Sequence, residues 1–293
     1  MVETVPLLRL PLRHAAALGV LQGPTELLPV SSSGHLVLVP HLLGWSYADL
    51  DPELRKSFEV ALHAGTAAAL LIGLRREVAQ YCREFSVRNM VTLGLSFAPA
   101  AIVALRFERP IERRLSEPVP VALALLAGSA AMALADGCEQ RRKRADTRLL
   151  DAIVIGLAQA CALAPGVSRN GATLAAARAR GFKRRDANVI SRQIALPVIV
   201  GAAALKGVRL ATRRDLPPGL GRGMAVGAGT AFGSTLVSMR LIKMLERSRS
   251  LLPYALYRAL FAAVVLLRLG RRRGRRPSSE AGREAAPAAA AVE

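Results

Sequence analysis

The sequence predicts an all-α membrane protein, an inverted-topology repeat with two re-entrant helical hairpins and about six transmembrane helices. Three observations predict it. Apolar runs of about 15 to 20 residues alternate with short Arg-rich clusters, the spacing of membrane helices and their connecting loops. Residues 19–36, GVLQGPTELLPVSSSGHL, set Glu26, three consecutive serines and His35 inside an apolar region, where a charge costs roughly 2.5–3.5 kcal/mol on insertion scales. Residues 156–174, GLAQACALAPGVSRNGATL, resemble that stretch at a constant offset of 137 positions. Gly19 matches Gly156, Gln22 matches Gln159, Val30 matches Val167, Ser31 matches Ser168 and Gly34 matches Gly171. The identities fall on polar and backbone-special residues rather than on Leu and Ala, which marks an internal duplication.

Composition narrows the class. The 293 residues are 52% hydrophobic and 4% aromatic, with a formal net charge of +20. Such a charge suits a nucleic-acid binder, but here Lys and Arg lie in clusters between apolar runs, which argues for anchoring to anionic lipid head groups and against nucleic acid. Cys82, Cys138 and Cys161 are widely spaced and form no C-x-x-C, so neither a metal site nor a disulfide framework is expected. Arg9 and Arg13 precede an apolar run in the manner of a signal peptide, but Gln22, Pro24 and Glu26 interrupt it before any cleavage site, and the segment is expected to be retained.

Taken in order, residues 14–21 and 35–44 are apolar but too short to span, with the polar loop between them, and read as a first re-entrant hairpin. Spans follow at 58–74, 90–105 and 119–135, and a second hairpin at about 151–176. Three crossings between the hairpins bring the second in from the opposite face, so the repeats are inverted and both polar tips meet near the midplane. Spans at 189–205, 223–245 and 253–269 complete six crossings. One integral membrane domain is therefore expected over 1–269, with repeats at about 14–135 and 151–269, and a disordered basic, Ala-rich tail over 270–293. Basic clusters fall on both faces, so the positive-inside rule gives no orientation. The small residues of 223–234, GMAVGAGTAFGS, let helices approach closely. Packing within the chain is preferred to a homodimer interface, with which the pattern is also compatible.

An acid, hydroxyls, a flexible backbone and an imidazole within ten residues suit a phosphate or a metal-bound anion; the serines alone would read as helix caps. In the second stretch Arg169 follows Ser168 and precedes Asn170, Gly171 and Thr173. A guanidinium in apolar surroundings must face Glu26, an anionic substrate, or each in turn, and a helix start after Pro165 adds N–H donors of the kind that bind phosphate. His14, His41 and His63 lie outside the motifs and are assigned to packing, with His63 close enough in register to Gly65 to line a cavity. Inverted repeats with broken helices are also the architecture of secondary transporters, so a transporter or lipid-carrier translocase is the rival reading. A pure transporter needs the Arg and the glycines but no hydroxyl beside a His and a Glu.

Gln22-x-x-x-Glu26 with Pro29-Val30-Ser31-Ser32-Ser33-Gly34-His35, and Pro165-Gly166-Val167-Ser168-Arg169-Asn170-Gly171-Ala172-Thr173, resemble the paired signatures of the bacitracin-resistance-type undecaprenyl-pyrophosphate phosphatases. The resemblance extends through Phe58-Glu59-Val60, Ala195–Gly201 and Pro253–Arg258. It implies an integral enzyme of the bacterial inner membrane with an outward-facing site. The enzyme would dephosphorylate undecaprenyl pyrophosphate to recycle the lipid carrier for cell-wall synthesis, and would need a divalent cation, Mg²⁺ or Ca²⁺. The resemblance assigns Ser32 as nucleophile, Glu26 as cation ligand with Gln22 orienting the ion as a candidate second ligand, Arg169 as phosphoryl clamp and His35 as base or acid; attack by water with His35 as base and Ser32 as a ligand is the alternative. Gln22, Ser31, Ser33, Gly34, Gly166, Ser168, Asn170 and Thr173 would contact substrate. The leading position of the first signature, often Glu in that family, is Gln22 here, which removes one metal-binding carboxylate.

Overall fold

The computed structural model describes residues 10–83, 86–211, 220–247 and 250–274. Among these, eleven α-helices follow one another and no strand occurs. They are α1 (Leu12–Leu27), α2 (Ser32–Leu43), α3 (Pro52–Gly73), α4 (Arg75–Arg83), α5 (Val87–Leu115), α6 (Pro118–Asp136), α7 (Leu149–Cys161), α8 (Arg169–Ala179), α9 (Arg184–Ala211), α10 (Leu220–Arg247) and α11 (Leu252–Gly274). The bounds recur at the sequence offset of 137 to within about five residues: α1, α2, α3, α5 and α6 fall on α7, α8, α9, α10 and α11.

Among the described residues, five helices, α5, α6, α9, α10 and α11, are long and apolar enough to cross a membrane. Only 6% of the apolar window of α5 is buried within the protein, and Leu105, Leu134 and Val237 are 86%, 77% and 78% exposed, surface that lipid rather than water must cover. The expected span at 58–74 is α3, 22 residues long, whose first turns carry Glu53, Arg55, Lys56 and Glu59 and so make it less apolar. Local signals start the helices as the sequence requires. Asp51 accepts from the N–H groups of Glu53 and Leu54 at 2.9 and 3.3 Å, with Pro52 at the first helical position. The α11 helix continues to Gly274, past the expected start of the tail at 270; the rest of that stretch lies outside the described residues.

The structure corrects the expected first loop. The α1 helix does not stop at 21 but runs through Gln22, Pro24 and Glu26 to Leu27. Proline leaves the carbonyl four residues earlier without its helical donor. Ser234 of α10 supplies one, donating its hydroxyl to Val20 O at 2.6 Å. The two helices come close because Gly23 of α1 lies against the backbone at Ser234 and Thr235, where a side chain would collide. Gly227 packs on Phe58 and Leu62 of α3, a close contact within the chain. In the other half α7 packs on α5 in the same manner, with Gly156 against the carbonyls of Leu95 and Ser96, and Gln159 Nε2 donating to Ser96 O at 3.3 Å.

Candidate active site

The site forms where the two helix pairs break. The α2 and α8 helices begin alike. Ser31 caps α2 by accepting from Gly34 N at 3.3 Å, and Ser168 caps α8 by accepting from Gly171 N at 3.1 Å. The two starts touch: Gly166 N donates to Ser33 Oγ at 3.4 Å, so the positive ends of two helix dipoles converge. Gly166 has φ +96° and its missing Cβ would strike Val121 O, which requires glycine twice over. The buried Arg258 of α11 ties the two breaks together, donating to Pro29 O at 3.3 Å, Gly166 O at 3.1 Å and Leu125 O at 3.4 Å. Ser31 itself sits at φ 75°, a strained conformation for a non-glycine residue.

Glu26 is the hub. Its side chain is 8% exposed and uses both oxygens. Oε1 accepts from Arg169 Nη2 at 2.5 Å; Oε2 accepts from Ser32 Oγ at 2.6 Å and from Gln22 Nε2 at 3.4 Å. The α1 helix places Gln22 and Glu26 one turn apart on one face, and the α2 start brings Ser32 to them. Arg169 spends its second nitrogen on α9, with Nη1 donating to Ala195 O at 3.1 Å. Its planar fork therefore spans two anchors, and an unpaired charge at this depth is avoided.

Other expected site residues act on the frame. Asn170 Nδ2 donates to Leu27 O at 2.9 Å and its Oδ1 accepts from Ser191 Oγ at 3.1 Å, joining α8 to the end of α1. Thr173 Oγ1 donates to Arg169 O at 2.9 Å and lies 2.6 Å from Ser191 Oγ. Ser31 and Ser168 are caps, and Ser33 Oγ meets Ser31 Oγ at 3.4 Å as well as Gly166 N.

His35 is not joined to Ser32. Its Nδ1–H donates to Ser31 O at 2.7 Å, its Nε2 accepts from Tyr257 OH at 2.8 Å, and its ring stacks on Phe261 at 4.7 Å. Both nitrogens are satisfied within the protein, so His35 holds the strained Ser31 turn. The imidazole that faces the carboxylate is His63 of α3: Nδ1–H donates to Glu59 O at 2.8 Å, which turns Nε2 toward Glu26 Oε2, 3.8 Å away. Sequence reasoning assigned His63 to packing; its register with Gly65, which lies against Ala228 of α10, was the only signal that could have found it.

Beside this cluster lies an open cleft. Glu26, Arg169, Asn170 and Arg192 line its polar part, and Leu70, Leu74, Leu196, Ile199 and Ile242 its apolar part. Among the described residues, no group of three or more His, Cys, Asp or Glu side chains is placed to hold a metal ion. Cys138 and Cys161 are free and exposed. The arrangement offers a hydroxyl bonded to a carboxylate, a guanidinium beside them and two helix N-termini, next to a wall suited to a hydrocarbon chain.

Comparison with known proteins agrees with this chemistry. The family of bacitracin resistance protein BacA matches residues 15–264. An undecaprenyl-diphosphatase of Geobacter metallireducens is 39% identical over 267 residues, 87% of this chain and 97% of the relative. The undecaprenyl-diphosphatase of Geobacter sulfurreducens is 41% identical over 268 residues, 86% of this chain and 96% of the relative, and that of Campylobacter concisus 32% over 266 residues, 86% and 97%. With its paired breaks and its Glu26-centred cluster inside the matched span, this chain belongs to the BacA bacitracin resistance family.

Proposed function

We propose that this multi-pass membrane protein removes the terminal phosphate of undecaprenyl pyrophosphate, and that Ser32 carries the phosphoryl group. The observation that carries this reading is the single carboxylate of Glu26, which binds the Ser32 hydroxyl at 2.6 Å and the Arg169 guanidinium at 2.5 Å beside a partly apolar cleft. Ser32 Oγ attacks the terminal phosphorus as its proton passes to Glu26 Oε2. The new Oγ–P bond forms while the bridging P–O bond breaks, and the lipid monophosphate leaves with the electron pair. Water then attacks the phosphoserine, frees orthophosphate and restores the hydroxyl. Arg169 shifts its fork onto the phosphoryl oxygens as charge accumulates there, and the N-termini of α2 and α8 add N–H donors and dipole. His35 acts as a positioning residue that holds the Ser31 turn.

The residues fit a divalent cation shared with the substrate. Gln22 is fully buried, and its Oε1 has no protein partner although the amide lies against Glu26; such an orphaned oxygen is costly unless something else uses it. Glu26, Gln22 Oε1 and His63 Nε2 would hold the ion, with phosphate oxygens completing the shell. A cation bound there supplies Lewis-acid neutralisation of phosphoryl charge. The inverted relation of the halves, the re-entrant character of the α1–α2 and α7–α8 pairs, the inner-membrane location and the outward-facing site belong to the same reading. The repeat itself is supported by the recurrence of helix bounds and serine caps at an offset of 137.

Purified full-length protein in detergent is expected to release orthophosphate from undecaprenyl pyrophosphate, and chelator is expected to stop it. No release from any prenyl diphosphate, together with movement of the lipid across vesicles, would overturn the phosphatase reading in favour of a carrier; full activity in excess chelator would remove the cation.

A further inference from the structure

We propose that Arg192 binds the second phosphate group of the diphosphate, leaving its ion pair with Glu77 as the cleft fills; this rests on the phosphatase reading above. The face of α9 that lines the cleft carries Asn188, Arg192, Ala195, Leu196 and Ile199, spaced as one helical stripe. Ala195 O is the anchor of Arg169, and Arg192 lies three residues before it on α9, so one arginine from α8 and one from α9 border the same cleft. Charge also asks for a second cation. Arg169 is matched by Glu26 at 2.5 Å, whereas a diphosphate brings several negative charges into a cleft walled by leucine and isoleucine.

Arg192 can supply that charge because the ion pair it makes with Glu77 is easily given up. Its Nε donates to Glu77 Oε2 at 2.9 Å, and the Glu77 side chain is 51% exposed while that of Arg192 is 20% exposed. A half-solvated carboxylate gains little from such a pair and returns to water at small cost. Glu77 stands on the short, polar α4, immediately after the Leu70 and Leu74 wall, so it holds Arg192 at the cleft while the site is empty. A fork of donors then meets phosphate oxygens in place of the carboxylate. Arg169 takes the phosphoryl group that Ser32 attacks, and Arg192 takes the phosphate that stays on the lipid.

The two ends of the pair therefore have opposite effects on affinity. With full-length protein in detergent, Arg192→Ala is expected to raise KM for undecaprenyl pyrophosphate, and the Ki of inorganic pyrophosphate, by roughly tenfold. It should change kcat and the Ki of orthophosphate far less, and Arg192→Lys should recover part of the loss. Glu77→Gln removes the competing carboxylate and is expected to lower both KM and the pyrophosphate Ki by up to a few fold. A merely structural ion pair would make both substitutions act in the same direction, with a matching fall in thermal stability, and that result overturns the inference. So does an unchanged pyrophosphate Ki in Arg192→Ala. If the protein hydrolyses no prenyl diphosphate, the phosphatase reading fails, and calorimetric titration of wild type and Arg192→Ala with inorganic pyrophosphate still decides the role of Arg192.

Discussion

Replacing Arg169 by Lys keeps the charge and removes the fork. In the structure the guanidinium holds Glu26 Oε1 at 2.5 Å with Nη2 and Ala195 O at 3.1 Å with Nη1, so one planar group bridges α1 and α9. A lysine ammonium can reach one of these anchors or the phosphoryl oxygens, but it cannot present two parallel donors to them. One charge-assisted hydrogen bond contributes about 1.5–3 kcal/mol, and loss of one preorganised donor to a developing oxyanion lowers kcat on the order of a hundredfold. Arg169→Lys is therefore expected to turn over undecaprenyl pyrophosphate roughly a hundredfold more slowly, and Arg169→Ala at least as slowly. The assay is steady-state phosphate release by purified protein, with the thermal stability of Arg169→Ala/Glu26→Ala as control. If Arg169 only neutralised Glu26, lysine would substitute and the double variant would fold better than either single one, since each single change strands a buried charge. Near-normal turnover in Arg169→Lys would refute the clamp.

Two further outcomes follow from the same geometry. Glu26→Gln removes the proton acceptor of Ser32 and the partner of Arg169 together, and is expected to abolish measurable turnover, whereas Gln22→Glu adds an oxygen ligand and should be tolerated with tighter cation binding; equal losses at saturating metal would contradict the assignment of Glu26. At the polar end of α7, burial raises the Asp151 carboxyl, but Arg142 at 2.9 and 2.5 Å, the N–H of Arg148 and Arg180 at 2.7 Å outweigh it and hold the carboxyl down at about 2, below its ordinary 3.8. Its folded-state value is the lower one, so the stability it contributes is complete above about pH 4 and lost as pH falls toward 2. Thermal unfolding of Asp151→Asn should lack that share of the acid dependence.

Much of the site was legible because the two motif stretches share residues whose chemistry is local. Ser31 and Ser168 keep the same cap, and the Gln22-Glu26 spacing is one helical turn whatever surrounds it. The rest depends on partners far away in the chain. Pro24 looked like the end of a half-helix because nothing nearby announces Ser234, whose hydroxyl serves Val20 O and lets α1 continue to the acid. His35 sits beside the serines in sequence, yet Tyr257 and Phe261 claim its ring, while His63 arrives from α3 to face Glu26. Arg258 and Arg192 lie on helices whose hydrophobic periodicity hides single cations; only packing reveals that one ties both breaks and the other borders the cleft.

The central claim is that Ser32, released by Glu26, becomes covalently phosphorylated. The stereochemical course at phosphorus tests it most directly. Undecaprenyl pyrophosphate with a terminal thiophosphoryl group made chiral by heavy oxygen is hydrolysed in water of a third oxygen isotope, and the configuration of the released thiophosphate is read. Two in-line displacements, first by Ser32 and then by water, predict retention of configuration; inversion would mean a single attack by water and would contradict the account.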